Sequence, residues 1–252
     1  MNDFPQNAQG EYKVEGLVLR TIDYRDKDGI IHLATPHKIY SFLARGVAKE
    51  TSKNRRLSLP FSKVILNYDP KYSRDLLFLI NGSEEALYWK CTESLQIQAV
   101  QAVLTALLEM HGMDPFLYEH LESFWKEGQS GVSNASMREA CLLLADILKQ
   151  SGLLPNVSEC TVCGKKQNIT AFSMENGGFV CRDDLDESCR ILPKKSLLQL
   201  RRLVQAVSHP EFPMEKLDDF SWDLAFFLML CDWYVYASDA PMRSLDFLKT
   251  LS

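Results

Sequence analysis

The chain has no long apolar run. The longest, LAFFLMLC at Leu224 to Cys231, is closed by Asp223 and Asp232, well short of the ~18 residues a membrane-crossing helix needs. A buried helix and no membrane contact are therefore expected. The first thirty residues lack the basic start, apolar stretch and small-residue cleavage site of a secretory signal, so a cytoplasmic setting is expected, where disulfides do not persist. The spacings of common catalytic sites are missing as well. GVAKETSK from Gly46 has no second glycine to complete a phosphate cradle. DKDG at Asp26 to Gly29 puts Tyr24 and Thr35 where a calcium loop needs its first and twelfth ligands, so it reads as a hairpin turn. His32, His37, His111, His120 and His209 form no His-x-x-x-His pair, and there is no Gly-x-Ser-x-Gly elbow. A hydrolase or nucleotidyl enzyme is disfavoured, and no low-complexity tract or internal repeat interrupts the chain.

What is present is an ordinary globular composition, with 46% apolar and 24% charged residues in a chain of 252, enough for one large domain or two to three small ones. The net charge of -5 is unevenly spread. Residues 1 to 80 carry 13 Lys+Arg against 9 Asp+Glu, and the remainder 15 against 24. Between Arg45 and Arg74 eight basic residues meet only Glu50 and Asp69. A basic half inside an acidic protein predicts a surface that faces a polyanion.

Periodicity changes near the same point. YKVEGLVLRTIDY, IIHLAT, IYSFLAR and FSKVILNY alternate and are rich in β-branched and aromatic residues, with breaks at RDKDG, TPHK, SKNRR and DPKYS. That predicts a small β barrel or sandwich. Ser83 followed by two glutamates resembles a helix start, and helical spacing then runs to Gly112, from Pro115 to Gly128 and from Ser133 to Gly152. Three such helices on short loops read as a bundle. Further helices are expected from about Pro193 to Ser208 and Leu217 to Ser238. The resulting class is α+β, with a boundary near residue 81, a helical domain over 82–252 and a cysteine-rich insertion at 157–192.

Arg45, Lys49, Lys53, Arg55, Arg56 and Lys63 lie in or beside one polar loop between two predicted strands. Clustered cations bind phosphates by releasing condensed counterions, which gives weak sequence preference and strong salt dependence. Tyr40, Phe42 and Phe61 lie nearby, either to stack on bases or to fill the core. Of seven cysteines, Cys91, Cys141 and Cys231 sit among apolar residues and read as core. The other four fall between Cys160 and Cys189. Cys160-x-x-Cys163 before Gly164 forms half of a tetrahedral metal site, and Gly177 and Gly178 turn the chain into Cys181. A second Cys-x-x-Cys would close the site, but position 184 is aspartate. The fourth ligand is then Cys189 or Asp184, or no metal binds. Because structural zinc sites usually take Cys or His, Cys189 is the preferred partner of Cys160, Cys163 and Cys181, in a structural zinc site that pins the insertion.

The run EGLVLRTIDYRDKDGIIHLATPHKIYSFLARGVAKETSKNRRLSLPFS, the later ENGGFVC and the terminal MRSLDFLKTL together resemble the RecO family of bacterial recombination mediators. The most specific element is Ala44-Arg45-Gly46 followed by the basic SKNRR and then LPF. The resemblance implies an N-terminal oligonucleotide-binding (OB) barrel over 1–81, a helical domain and a zinc insertion, with a cysteine at 184 in members that keep the site. It implies binding of single- and double-stranded DNA, annealing of complementary strands, and help in loading recombinase on protein-coated strands, without bond-breaking chemistry, in the bacterial cytoplasm near the nucleoid. It also implies a RecR-type partner and a helical-domain groove for the acidic tail of single-stranded DNA-binding protein, with Arg201 and Arg202 as candidate rim cations. The alternative from another class is a repair scaffold that binds proteins and hardly touches DNA.

Overall fold

The computed structural model describes residues 12–47, 49, 51–69 and 76–251. The expected turn after Asp69 lies in residues 70–75, outside the described residues, together with Lys71 and Arg74. Contacts divide the chain into two compact units, residues 1–132 and 133–252.

The first unit is built on five strands: β1 (Tyr12–Tyr24), β2 (Asp28–Ala34), β3 (Ile39–Ala44), β4 (Ser62–Asp69) and β5 (Leu77–Leu87). They close into a barrel in the order β1-β2-β3-β5-β4, with β1 pairing again with β4. All pairs are antiparallel except β3 with β5, which run parallel through Phe42↔Leu77 and Leu43↔Phe78. This is the OB arrangement, in which closure removes the exposed strand edges. The alternation in sequence becomes alternation of faces. Val64, Leu66 and Tyr68 of β4 point inward and join Val18, Ile31, Leu33 and Phe42 in the barrel core. Burying each such apolar side chain contributes about 1.5–3 kcal/mol.

The acidic run at Ser83 does not open a helix. It is the exposed second half of β5, paired with β4 through Ile65↔Ser83 and Val64↔Glu84. The ladder satisfies these backbone groups, and long-range pairing overrides the local signal. The first helix, α1 (Leu95–His111), instead starts behind Ser94, whose hydroxyl accepts from the Ile97 N–H at 3.3 Å. Asp114 and Pro115 open α2 (Pro115–Ser130) as expected, with the Asp114 carboxylate accepting from Leu117 N at 2.9 Å. The buried Trp125 Nε1 donates to Gln101 Oε1 at 2.7 Å, which ties α2 to α1. These two helices therefore group with the barrel.

The second unit begins with α3 (Ser133–Gln150) and continues through a small antiparallel sheet of β6 (Ile169–Ser173), β7 (Gly178–Cys181) and β8 (Cys189–Ile191), in the order β7-β6-β8. It ends in α4 (Lys194–Ser208), α5 (Leu224–Ser238) and α6 (Arg243–Lys249). The apolar run of α5 is buried from Phe226 through Cys231, as its sequence demanded. The single helix expected from Leu217 is broken, because Asp223 caps α5 by accepting from Phe226 N at 2.9 Å. Trp233 joins helix to sheet: its ring meets Phe172 edge-on at 5.4 Å and its Nε1 donates to the Leu153 carbonyl at 2.8 Å. Among the described residues no helix is long and apolar enough to cross a membrane.

The relocated helix start is testable by denaturant unfolding. Ser94→Ala is expected to cost about 1 kcal/mol through loss of the cap, whereas Ser83→Ala on the exposed strand should stay within about 0.5 kcal/mol of the parent.

Candidate nucleic-acid interface and metal centre

The basic loop connects β3 to β4 as a chain of tight turns. Backbone bonds run from Lys49 N to Gly46 O, Ser52 N to Lys49 O, and Arg55 N to Ser52 O at 3.0–3.2 Å. They lead into one helical turn at Arg55–Ser58. Leu57 in that turn is 3% exposed and belongs to the barrel core, while the Thr21 hydroxyl donates to the Ser58 carbonyl at 2.6 Å. The turn is thus nailed to the barrel by its apolar residue, and its neighbours must face outward. Arg45, Lys49, Lys53, Arg55 and Arg56 are all exposed, and among the described residues none of them pairs with a carboxylate. Gly46 supplies the left-handed conformation, φ 65°, that the first turn needs. The adjoining β1–β2 turn is held against this loop, because the Gly46 N–H donates to Asp28 Oδ1 at 2.8 Å.

Lys63 departs from the expected set. Its ammonium lies 2.9 Å from Glu15 and 3.1 Å from Glu122. Partial burial opposes its charge, yet the hydrogen bonds to Glu15 and Glu122 hold it well above the usual lysine range. An ammonium clamped between two carboxylates is a brace inside this unit and offers little to a phosphate. The aromatics also resolve toward packing. Phe42 is fully buried and Phe61 nearly so, with Phe61 edge-on to Trp125 at 5.4 Å. Tyr40 is half-buried against the core, with the Lys38 ammonium 4.3 Å above its ring.

In the second unit the chain brings Cys160, Cys163, Cys181 and Asp184 together, with one ligand atom of each within 4.8 Å of the others. The first knuckle is formed by Cys160 N donating to Lys165 O at 2.8 Å and Gly164 N donating to Cys160 O at 2.9 Å, with Gly164 at φ 74°. The second is the end of β7 followed by one turn at Arg182–Asp184. Gly178 is required there, since a Cβ would collide with the Asn156 backbone. The Cys163 and Cys181 sulfurs are 3.7 Å apart, close to the ~3.8 Å edge of a tetrahedron with Zn–S bonds near 2.3 Å. Asp184 Oδ2 lies 3.2 Å from Cys160 Sγ and 3.1 Å from Cys181 Sγ.

The donor set suits zinc electronically as well. Burial raises the Cys160 thiol, but the N–H groups of Cys163, Cys181 and Val162 outweigh it and hold the thiol below the usual cysteine range. Hydrogen bonding to the Asp184 carboxylate pushes Cys163 up to about 12 and also raises Cys181, while those thiols, Cys163 first, hold Asp184 below the usual carboxylate range. Three sulfurs and a carboxylate sharing protons at this separation form a ready ligand set for a metal that would displace those protons.

The preference for Cys189 is corrected. Cys189 opens β8, pairs with Ser173 and donates its thiol to Asp186 Oδ1 at 3.2 Å. Cys181 ends β7 on the other side of β6, opposite Ile169. Two strand spacings, roughly 10 Å, and four residues of strand length separate the two backbones. A second Cys-x-x-Cys would end at position 184, and it is the Asp184 carboxylate that the structure brings to the three thiols.

A cavity of about 530 Å³ adjoins this sheet. Its apolar wall includes Phe179, Leu197, Leu198 and Ile191, the last 70% exposed, and Lys166, Lys194 and Arg201 rim it. Arg201 is fixed by donating to the Val157 carbonyl at 2.8 Å with its guanidinium 5.4 Å over Phe179. Arg202 does not line the cavity and faces Gln205 instead. Lys166 and Lys194 come from segments far apart in sequence, so no local pattern announced them.

Residues 9–83 match the family model described as Recombination protein O N terminal, and residues 97–228 match Recombination protein O C terminal. The chain belongs to the RecO family. The DNA repair protein RecO of Exiguobacterium sibiricum is 30% identical over 177 residues, which is 68% of this chain and 69% of that one. The protein of the same name from Bacillus pumilus is 28% identical, covering 72% and 71%, and that from Bacillus subtilis 26%, covering 73% and 72%. The RecO N-terminal match contains the basic loop, and the RecO C-terminal match contains both the cysteine cluster and the cation-rimmed cavity.

Metal analysis checks the ligand set. About one zinc per chain is expected in the parent and in Cys189→Ala, with loss of most of the metal in Asp184→Ala and Cys163→Ala; retention in Asp184→Ala with loss in Cys189→Ala would reverse the assignment.

Proposed function

We propose that this RecO-family chain acts in DNA repair and homologous recombination as a non-catalytic mediator. In this reading it binds single- and double-stranded DNA through the β3–β4 loop, anneals complementary strands and helps load recombinase on protein-coated single strands. The observation that carries it is the set of five exposed cations, without a carboxylate partner among the described residues, on a loop whose helical turn is anchored by Leu57. Such an arrangement serves a phosphate backbone because it is fixed in place before binding, and it reads charge without reading sequence. The function belongs in the bacterial cytoplasm at the nucleoid, with a RecR-type protein as partner.

Zinc, when bound by Cys160, Cys163, Cys181 and Asp184, supplies structural cross-linking and no chemistry. Its four ligands leave no open position for substrate.

The cavity beside the cysteine sheet supports a further partner, the acidic, aromatic-ended tail of single-stranded DNA-binding protein. An apolar floor takes the terminal ring, and Lys166, Lys194 and Arg201 meet the carboxylates. The same cavity is what keeps the protein-binding scaffold alive as a second reading.

Fluorescence anisotropy with a labelled single strand across a salt series distinguishes the two. If all five loop cations engage phosphates, the slope of log affinity against log salt should approach -3.5, about 0.7 per contact on a single strand. R55E/R56E should flatten that slope by roughly 1.4; absence of binding by the parent would leave the scaffold as the better reading. Calorimetry with the tail peptide should show binding lost in Arg201→Glu and kept in Arg202→Glu, and equal binding by both would remove the cavity as its seat.

A further inference from the structure

The DNA-facing surface extends beyond the loop that the sequence announces. The β1–β2 connection is a tight turn in which Arg25 takes the left-handed conformation, φ 56°, a backbone state that costs a non-glycine residue about 1 kcal/mol or more. Arg25 lies over the Tyr24 ring, 5.1 Å from guanidinium carbon to centroid. Asp28, at the end of this turn, accepts the Gly46 N–H at 2.8 Å, which locks the turn against the start of the basic loop. Between them is an open cleft of about 540 Å³. Arg25 and Lys27 line one side and Arg45 and Lys49 the other, with Asp26 and Asp28 as the only carboxylates among the described lining residues. Asp28 is occupied by the Gly46 amide. Across the cleft Arg45 is also fixed, its guanidinium 5.0 Å over the Phe78 ring.

We propose that this cleft is a nucleic-acid backbone site, in which Arg25 and Lys27 take phosphates of the same strand that the β3–β4 loop binds. The proposal rests on the DNA-binding reading above and deepens it. Four cations converge on one groove, two of them arginines held over a ring, and the loop that supplies Arg45 and Lys49 goes on to carry Lys53, Arg55 and Arg56. Two groups of cations joined along one loop track a repeating charge, which is the geometry of a single-strand channel. In OB barrels the loop between the first two strands borders the oligonucleotide face. Among the described residues that line the groove all but Gly46 are charged, so it suits phosphates better than an acidic peptide anchored by a hydrophobic residue.

The test uses the full chain and a fluorescein-labelled oligothymidylate. R25E/K27E should reduce the salt slope by roughly 1.4, which is about 25-fold weaker binding at 0.1 M salt, converging with the parent near 1 M. R25Q/K27Q, which keeps the turn free of new charge, should flatten the slope by the same amount and decides the matter if the glutamate variant unfolds on a thermal melt. Parent-like affinity and slope in both variants, while R55E/R56E is impaired, would overturn the cleft and leave DNA binding by the loop intact. No binding of the strand by the parent would overturn the reading on which the cleft rests. Sodium pyrophosphate or polyglutamate at matched ionic strength should displace the strand poorly; loss of pyrophosphate or polyglutamate binding in R25Q/K27Q with unchanged strand affinity would assign the cleft to a free phosphate or a protein and overturn the proposal.

Discussion

β3 and β4 are consecutive in the chain but not in the sheet, because β5 lies between them and runs parallel to β3. Closing the barrel in this order obliges the β3–β4 connection to reach across β5, and its length and composition follow from that constraint. A connection of this length stays ordered only if something in it is buried. Leu57 meets that need by packing among β1, β4 and β5. Once Leu57 points inward, Arg55 and Arg56, which precede it in the same helical turn, are forced toward solvent. The cationic surface is therefore a by-product of barrel topology, presented rigidly because its anchor belongs to the core.

The same logic of anchoring recurs in the cysteine segment with a different material. One face of its sheet buries Phe172 and Phe179, the former against Trp233, but the face toward the knuckles has only Cys160, Ala171, Val180 and Cys181 as a small core, with Ile169 and Cys189 packed against it. Burial on the knuckle side alone does little to offset the backbone entropy of its turns, roughly 1–2 kcal/mol per residue. A bound metal would do more, because its binding free energy becomes folding free energy. A carboxylate at 184 in place of a thiolate would make the ligand set harder than that of the usual structural zinc site, while the N–H groups of Cys163, Cys181 and Val162 favour the Cys160 thiolate.

Much of this was legible in the residues. Strand alternation and turn composition placed four of the five barrel strands, β1 to β4, and Asp114-Pro115 marked the start of α2. The basic loop stood out by charge alone, since five of its six named cations are exposed. Three failures share one cause. Ser83-Glu84-Glu85 has the composition of a helix cap, but β4 offers it a ladder. Lys63 has the charge of a phosphate ligand, but Glu15 and Glu122 reach it first. Cys189 has the chemistry of a zinc ligand, but β6 stands between it and Cys181. In each case a partner distant in sequence decided the role of a residue whose local chemistry was read correctly.

The sequence by itself determined the chemistry available: a β-rich basic half, an acidic helical remainder, a Cys-x-x-Cys knuckle and the RecO-type order of motifs. Those properties are local, since periodicity, charge and short spacings act over a few residues. Only the tertiary structure decided which of those groups meet. It set Asp28 against Gly46 so that two basic turns share a cleft, chose Asp184 over Cys189, and assembled Lys166, Lys194 and Arg201 around one apolar cavity. Such choices depend on strand order and register, which are fixed by the burial of whole faces and cannot be read from any one segment.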